Sequence, residues 1–245
     1  MYGDLDRPPL RADALNRALE PDGYRVEVLD IAPSTNAVVA ERARAGEPHG
    51  LVVVAEQQTA GRGRLDRTWV SPARAGLTFS VLLRPSNPLG WVPLLGGLGV
   101  ARALRQVAEV DAVLKWPNDV HLDGHKVAGL LAESVGGAVV LGIGLNVTTK
   151  AGELPVPEAT SLALAGAATT DRDTVLRAVL RGIADALGDD DRGAYRELCS
   201  TLGREVRVEL PGGEARTGTA EAVDDEGRLV VDGAAVAAGD VVHLR

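Results

Sequence analysis

The sequence predicts a chain of α/β (α+β) class, a larger mixed part followed by a small unit made of strands alone. Three observations predict this. Up to Leu202 the apolar spacing switches between the period of two of a half-buried strand and the three-to-four spacing of an amphipathic helix. Beyond Leu202 helical spacing stops, and short apolar runs alternate with Gly, Pro and Asp turn residues. The composition is globular, with 45% hydrophobic and 24% charged residues among 245, which argues against disorder.

In chain order, residues 10–20 have the spacing of a short amphipathic helix. Tyr24–Ile31 alternates and reads as a half-buried strand. Ser34 stands as N-cap of a helix over 35–45, and Gly46 as its stop. Leu51–Gln58 is a β-branched run, a buried strand. Residues 59–75 lose periodicity and collect Gly, Arg and Trp69. Gly76–Leu83 is a strand, and 91–109 a helix in spite of Gly96, Gly97 and Gly99. Val113–Trp116 is a short strand stopped by Pro117. Asp119–Leu122 and Lys126–Glu133 flank the hairpin signal Asp123-Gly124, and Val139–Val147 follows Gly136-Gly137. Asp173–Leu187 and Arg192–Leu202 read as helices. Residues 203–245, with nine Asp and Glu against five Arg, have the rhythm of a small SH3-type barrel. The expected division is therefore 1–202 and 203–245.

Charge and cysteine usage exclude several classes. Lys and Arg total 26 against 34 Asp and Glu, a net charge of −8, which speaks against non-specific nucleic-acid or membrane binding. The one cysteine, Cys199, rules out an internal disulfide or a cysteine-built metal pair and fits a reducing compartment. The first twenty residues show no secretory pattern, and no run reaches about 18 apolar residues. The expectation is a cytoplasmic protein.

Five segments could carry chemistry. Residues 61–74 hold Arg62, Arg64, Arg67 and Arg74 against one Asp. Glycine there lets backbone N–H groups approach an anion, arginine forks fit phosphate or carboxylate, and Trp69 offers a flat face. On residues alone the stretch reads equally as a solvated loop or an RGG-like RNA contact, and it matches neither a P-loop nor a dinucleotide fingerprint. Lys115-Trp116-Pro117-Asn118-Asp119 is a strand-ending turn, or an amide and a carboxylate presented at a strand end. Lys126 is a strand-end lysine, or a point charge for an anion. Gly142-Ile143-Gly144-Leu145-Asn146 is a buried glycine-rich strand, or room for a ligand with Asn146 reading its edge. Ser34-Thr35-Asn36 is a plain cap, or a grip for a small polar ligand. His49, His121, His125 and His243 show no metal spacing.

Taken in order, STN at 34–36, EQQTAGRGR at 56–64, Trp69, FSVLLRP at 79–85, KWPNDV at 115–120, KVAGLLAE at 126–133 and GIGLNV at 142–147 resemble the biotin–protein ligase family. The resemblance covers residues 24–150, with the terminal unit agreeing in size. It implies a mixed sheet flanked by helices, related to class II aminoacyl-tRNA synthetases, and a C-terminal SH3-like β-barrel. It also implies two reactions. Biotin and ATP, with Mg²⁺, give biotinyl-5′-AMP, and biotin then passes to a lysine of a biotin carboxyl carrier domain of a biotin-dependent carboxylase. By resemblance, Ser34, Thr35, Asn36 and Gln58 hold the ureido head of biotin. Arg62, Gly63, Arg64 and Lys126 hold its carboxylate and the phosphate. Arg62, Arg67, Trp69, Asn118 and Asn146 meet the nucleotide. Arg64, Lys126 and Asp119 are the catalytic set, Asp119 orienting the acceptor lysine or helping to place Mg²⁺. Residues 59–75 are expected to order on ligand binding. No tightly bound cofactor, nucleic acid or membrane partner is expected, and the chain is expected to be a monomer or weak homodimer.

Two departures stand out. Members often carry a further Arg-Gly after GRGR, where this chain has Leu65-Asp66, which puts one phosphate contact in doubt. Only some 23 residues precede the first strand, too few for the winged helix of members that repress transcription, so a ligase without a repressor role is expected. The alternative on the same fold is a lipoate or octanoate ligase, against which the polar STN and Gln58 cluster argues. The others are an RNA-binding module, disfavoured by the net charge, and a biotin-sensing pseudoenzyme.

Overall fold

A computed structural model describes residues 7–65, 67–210, 213–237 and 239–244. Asp66 of the Leu65-Asp66 departure, Pro211-Gly212 of a predicted turn and the first six residues lie outside the described residues.

The larger part begins with α1 (Ala12–Leu19), which buries Leu15 and Leu19 one turn apart. β1 (Arg25–Ala32) and β2 (Leu51–Gln58) pair in parallel across the crossover helix α2 (Thr35–Arg44). β3 (Gly76–Leu83) returns antiparallel to β2. After α3 (Trp91–Ala103) come four antiparallel strands, β4 (Ala112–Lys115), β5 (Asp119–Leu122), β6 (His125–Val135) and β7 (Ala138–Asn146), then α4 (Arg172–Gly188) and α5 (Arg192–Leu198). The result is one mixed seven-stranded sheet, β1-β2-β3-β7-β6-β5-β4. Both predicted hairpin turns place two residues at positive φ, Asp123 and Gly124 at 47° and 79° and Gly136 and Gly137 at 55° and 78°. That is the two-residue turn whose twist suits a hairpin. No helix among the described residues is long and apolar enough to cross a membrane.

The terminal unit is a five-stranded antiparallel sheet: β8 (Glu205–Glu209), β9 (Ala215–Val223), β10 (Leu229–Val231), β11 (Ala234–Val236) and β12 (Asp240–His243), in the order β11-β10-β9-β8-β12. The last apolar run of the sequence thus splits into two strands on opposite edges.

Two predicted helices depart from a regular α-helix over the expected span. The 91–109 helix is regular to Ala103, widens into a π-helical turn over 104–108 and ends at Glu109 in the left-handed region. Its glycines mark close packing: a Cβ on Gly99 would lie 2.5 Å from the Gly182 backbone of α4. The 192–202 helix stops at Leu198 because the chain turns to bond β4, the Ser200 N–H donating to the Leu114 carbonyl at 2.8 Å.

The sheet buries a core on each face, and β2 shows the alternation: Val52 and Val54 enter the large core beneath α1, α3 and α4, while Leu51 and Val53 enter a smaller one beneath α2. Val206, Val208, Leu229 and Val231 of the terminal sheet join the large core. An ion pair is buried inside: Arg172 of α4 meets Glu56 of β2 at 2.5 Å, their side chains 6% and 4% exposed. The same groups bond the Leu10 N–H and the carbonyls of Pro8 and Gly76.

Candidate functional site

Register places a cavity at one end of the smaller core. On the face toward α2, β3 presents Thr78, Ser80 and Leu82, and β7 opposes them with Gly144, Gly142 and Val140. Next door β6 adds Gly129, Leu131 and Glu133. Leu82 and Val140 pack under α2, but two residues along the same strands the side chains become small or polar. The layer that α2 would fill is left open, giving a cavity of about 340 Å³. The glycines make room for particular groups. A Cβ on Gly144 would stand 2.2 Å from the Trp69 indole, and one on Gly142 2.0 Å from Asn36 Oδ1.

The closed end is polar. Ser34 precedes α2 as its N-cap residue, yet its side chain makes no cap bond. Gln58 of β2 does that work, its Oε1 accepting from the Thr35 N–H at 2.7 Å, with the Thr35 hydroxyl 3.2 Å away. This turns the Gln58 Nε2 protons elsewhere. Ser80, fully buried in β3, lies 2.7 Å from Thr35 Oγ1 and donates to Asn36 Oδ1 at 2.5 Å. Asn36 Nδ2 donates to Glu133 Oε2 at 2.6 Å.

The open end is cationic. The 61–69 loop folds on itself, Gly63 N–H to the Arg67 carbonyl at 2.7 Å and Trp69 N–H to the Gly61 carbonyl at 3.0 Å. This brings Arg62, Arg64 and Arg67 to the rim. Arg64 Nη1 donates to Asn118 Oδ1 at 3.2 Å, while Asn118 Nδ2 donates to the Leu130 carbonyl at 2.8 Å. Lys126 Nζ is 2.7 Å from Asp119 Oδ1 and 6.0 Å from the Trp69 ring centre. The Trp116–Pro117 peptide is cis. From the terminal sheet, Asp240 pairs with Arg67, the Gly239 carbonyl accepts from Arg64, and Val241 and Val242 complete the wall.

Arg62, Arg64, Arg67, Lys115 and Lys126 line this cavity against the carboxylates Asp119, Glu209 and Asp240, a positive site in a negative protein. Burial lowers the Arg64 pKa although Asp240 and Asp119 oppose it. Burial lowers Lys115 too, and Lys126 adds to that. Burial pushes the Asp119 carboxyl up, but His121 and Lys126 outweigh it and hold its pKa below the ordinary value. Cations depressed by burial are groups that an incoming anion stabilises. The Trp69 indole N–H is buried without a partner among the described residues, a donor awaiting an acceptor. No cluster of three or more His, Cys, Asp or Glu among the described residues could hold a metal ion.

Of the residues singled out in the sequence, Ser34, Thr35, Asn36, Gln58, Arg62, Gly63, Arg64, Arg67, Trp69, Asn118, Asp119 and Lys126 share this one cavity. Asn146 is not among them. It ends β7 outside the lining, buried, with Nδ2 donating to the Thr160 carbonyl at 2.9 Å. The glycines of GIGLN accommodate Asn36 and Trp69 side chains instead. Arg74 is not in the lining. Ser80, Lys115, Glu133 and Asp240 were missed as site residues. A lone serine within GLTFSVLL and a lone glutamate closing KVAGLLAE were local signals for two of them. Asp240 has none, because it arrives from the other sheet.

A closed polar end, a cationic mouth and an indole between them define a cavity for a polar ring joined to anionic groups. The pattern of the Biotin/lipoate A/B protein ligase family matches residues 28–149, and that of the biotin protein ligase C terminal domain matches 201–244. The chain is 41% identical to the biotin–[acetyl-CoA-carboxylase] ligase of Mycobacterium tuberculosis, over 99% of this chain and 98% of that one. It is 30% identical to the bifunctional ligase/repressor BirA of Escherichia coli, over 86% and 70%. The biotin protein ligase of Aquifex aeolicus, solved in complex with biotin and ATP, superposes with a TM-score of 0.75 at 32% identity, over 90% of this chain and 98% of that one. The chain belongs to the biotin protein ligase family.

Proposed function

We propose that this chain joins biotin to ATP and transfers it to a lysine of a biotin carboxyl carrier domain. One observation carries the reading: the polar end around Asn36 and Gln58 and the cations Arg62, Arg64 and Lys126 line the same cavity. A ureido ring offers N–H donors and a carbonyl acceptor. The closed end offers the Asn36 oxygen, the Gln58 amide protons and the hydroxyls of Ser34 and Thr35. The anionic carboxylate and α-phosphate then fall at the cationic mouth, and Trp69 meets the nucleotide.

In the first step a carboxylate oxygen of biotin bonds to the α-phosphorus of ATP. The bond to the bridging oxygen breaks and pyrophosphate leaves. Arg62, Arg64 and Lys126 offset the repulsion between two anions and stabilise the charge that develops between them, and a shared cavity supplies the positioning. Mg²⁺ would enter with ATP and offset the charge of its phosphates; among the lining carboxylates Asp119, Glu209 and Asp240, Asp119, beside Lys126, would help to hold it. In the second step the ε-amine of the acceptor lysine bonds to the acyl carbon, loses a proton, and AMP leaves. Asp119 orients that amine. The 61–69 loop shelters the mixed anhydride from water, and residues 203–245 contribute the Asp240 wall as a second domain.

The test is to incubate the purified chain with Mg·ATP, a carrier domain and either biotin or lipoate, and to weigh the carrier by intact mass spectrometry. A biotinyl mass gain requiring ATP is the expected result. Lipoyl transfer without biotinyl transfer would reverse the substrate assignment.

A further inference from the structure

Glu133 lies outside the motif roles read from the sequence, yet one of its oxygens joins two parts of the site. Oε2 accepts from Asn36 Nδ2 at 2.6 Å and from Arg62 Nη2 at 2.8 Å. A carboxylate only accepts hydrogen bonds. The other neighbour on that side, the Leu131 carbonyl at 3.4 Å from Asn36 Nδ2, also only accepts. The Asn36 amide therefore presents its NH₂ to Glu133. Turned over, its oxygen would meet a carboxylate oxygen at that same short distance, acceptor against acceptor. The consequence lies at the opposite end of the amide. Oδ1 faces Ser80 and the bare Gly142 backbone, and Asn36 and Gly142 both line the cavity. A carbonyl oxygen has two lone pairs, and Ser80 takes one.

We propose that Glu133 is a positioning residue that sets the sense of the Asn36 amide, and that it thereby makes the closed end of the cavity select a ligand carrying N–H donors. This rests on the biotin reading and adds the residue that enforces it. A ureido N–H satisfies the remaining lone pair of Asn36. A dithiolane or hydrocarbon tail leaves it unmet in a buried place, which is how a polar pocket rejects an analogue lacking the matching donor.

The test measures KM for biotin, KM for ATP and kcat of adenylate formation in four proteins: wild type, Glu133→Leu, Asn36→Asp, and a double variant combining Asn36→Asp with Glu133→Gln. Glu133→Leu is expected to raise KM for biotin roughly 10- to 100-fold, the cost of a charge-assisted hydrogen bond, with KM for ATP within about threefold of wild type. Asn36→Asp sets two carboxylates against each other and is expected to be at least as impaired. The double variant restores the pair with its polarity reversed: the amide introduced at position 133 donates, and the carboxylate introduced at position 36 keeps an oxygen toward the ligand. It is expected to recover about tenfold or more of the biotin KM lost in Asn36→Asp. This comparison stands even where Glu133→Leu fails to fold. A double variant no better than Asn36→Asp, or a Glu133→Leu that raises both KM values alike, overturns the proposal and assigns Glu133 to holding Arg62. A wild-type chain inert toward biotin removes the underlying reading, and the proposal with it.

Discussion

Lys126 separates chemistry from stability. Its side chain is 32% exposed and that of its partner Asp119 is 23% exposed, so the pair is partly solvated and contributes roughly 1 kcal/mol to folding. In the proposed reaction the same ammonium, at the mouth of the cavity, stands where two anions meet, and losing one such preorganised charge costs on the order of 100-fold in rate. Lys126→Ala should therefore reduce adenylate formation by about that factor while the thermal midpoint moves by only a few degrees. Pyrophosphate release and differential scanning calorimetry measure the two; a collapse in thermal stability that matched the loss of rate would mark Lys126 as structural. Ser34 shows the limit of single-residue reading. Its type and position are those of an N-cap, yet the first bond of α2 goes to Gln58, 23 residues away, because the helix begins at a cavity wall that needs its own polar lining.

At the scale of elements, β12 links the terminal sheet to the end of β4 and to the KWPND turn. His243 lies 3.2 Å from the Thr201 hydroxyl, which accepts from the Trp116 N–H and so has its own proton to give to the imidazole. Burial, followed by Lys115, Arg204 and His121, lowers the His243 pKa to about 4. Unfolded, a histidine titrates near 6.5. Between those values the unfolded chain binds a proton that the folded chain refuses, so stability is full above about pH 6.5 and falls as the pH drops toward 4. His243→Gln should flatten the thermal midpoint between pH 6.5 and 4.5; a curve parallel to wild type would show that other groups set the slope. The junction has other ties. The indole N–H groups of Trp91 and Trp116 donate to the carbonyls of Asp224 and Gly227 at 3.0 and 3.1 Å, and these fall in the turn between β9 and β10. Trp116, which the sequence places beside the candidate chemistry, thus also anchors the two sheets.

Over the whole molecule, the Glu56–Arg172 pair collects distant segments at one buried point: residues 8 and 10, β2, the start of β3 and the start of α4. Removing one partner strands the other charge without water. Glu56→Ala should cost about 3–5 kcal/mol, read as a lowered urea midpoint with an unchanged slope, whereas a loss under about 1 kcal/mol would mean that the pair is dispensable. The buried residues of the terminal sheet are continuous with the large core. Its inward residues Val206, Val208, Leu229 and Val231 are buried together with Ala220, Val223, Val236 and Val241 of the same unit.

The periodicities of the chain carried most of the architecture. Strand and helix alternation, both two-residue hairpin turns and the change of texture after Leu202 are local properties, written in residues close in sequence. Motif order likewise carried most of the site, since Ser34, Gln58, Arg64 and Lys126 are chemically conspicuous where they stand. What local residues could not specify was register and long-range approach. The sense of the Asn36 amide depends on which face of β6 carries Glu133. The withdrawal of Asn146 depends on a chain segment fourteen residues further on. The Asp240 wall depends on where a separate sheet packs. Each is a contact between residues far apart in sequence, and such contacts come into being only when the core closes and brings them within a hydrogen bond of one another.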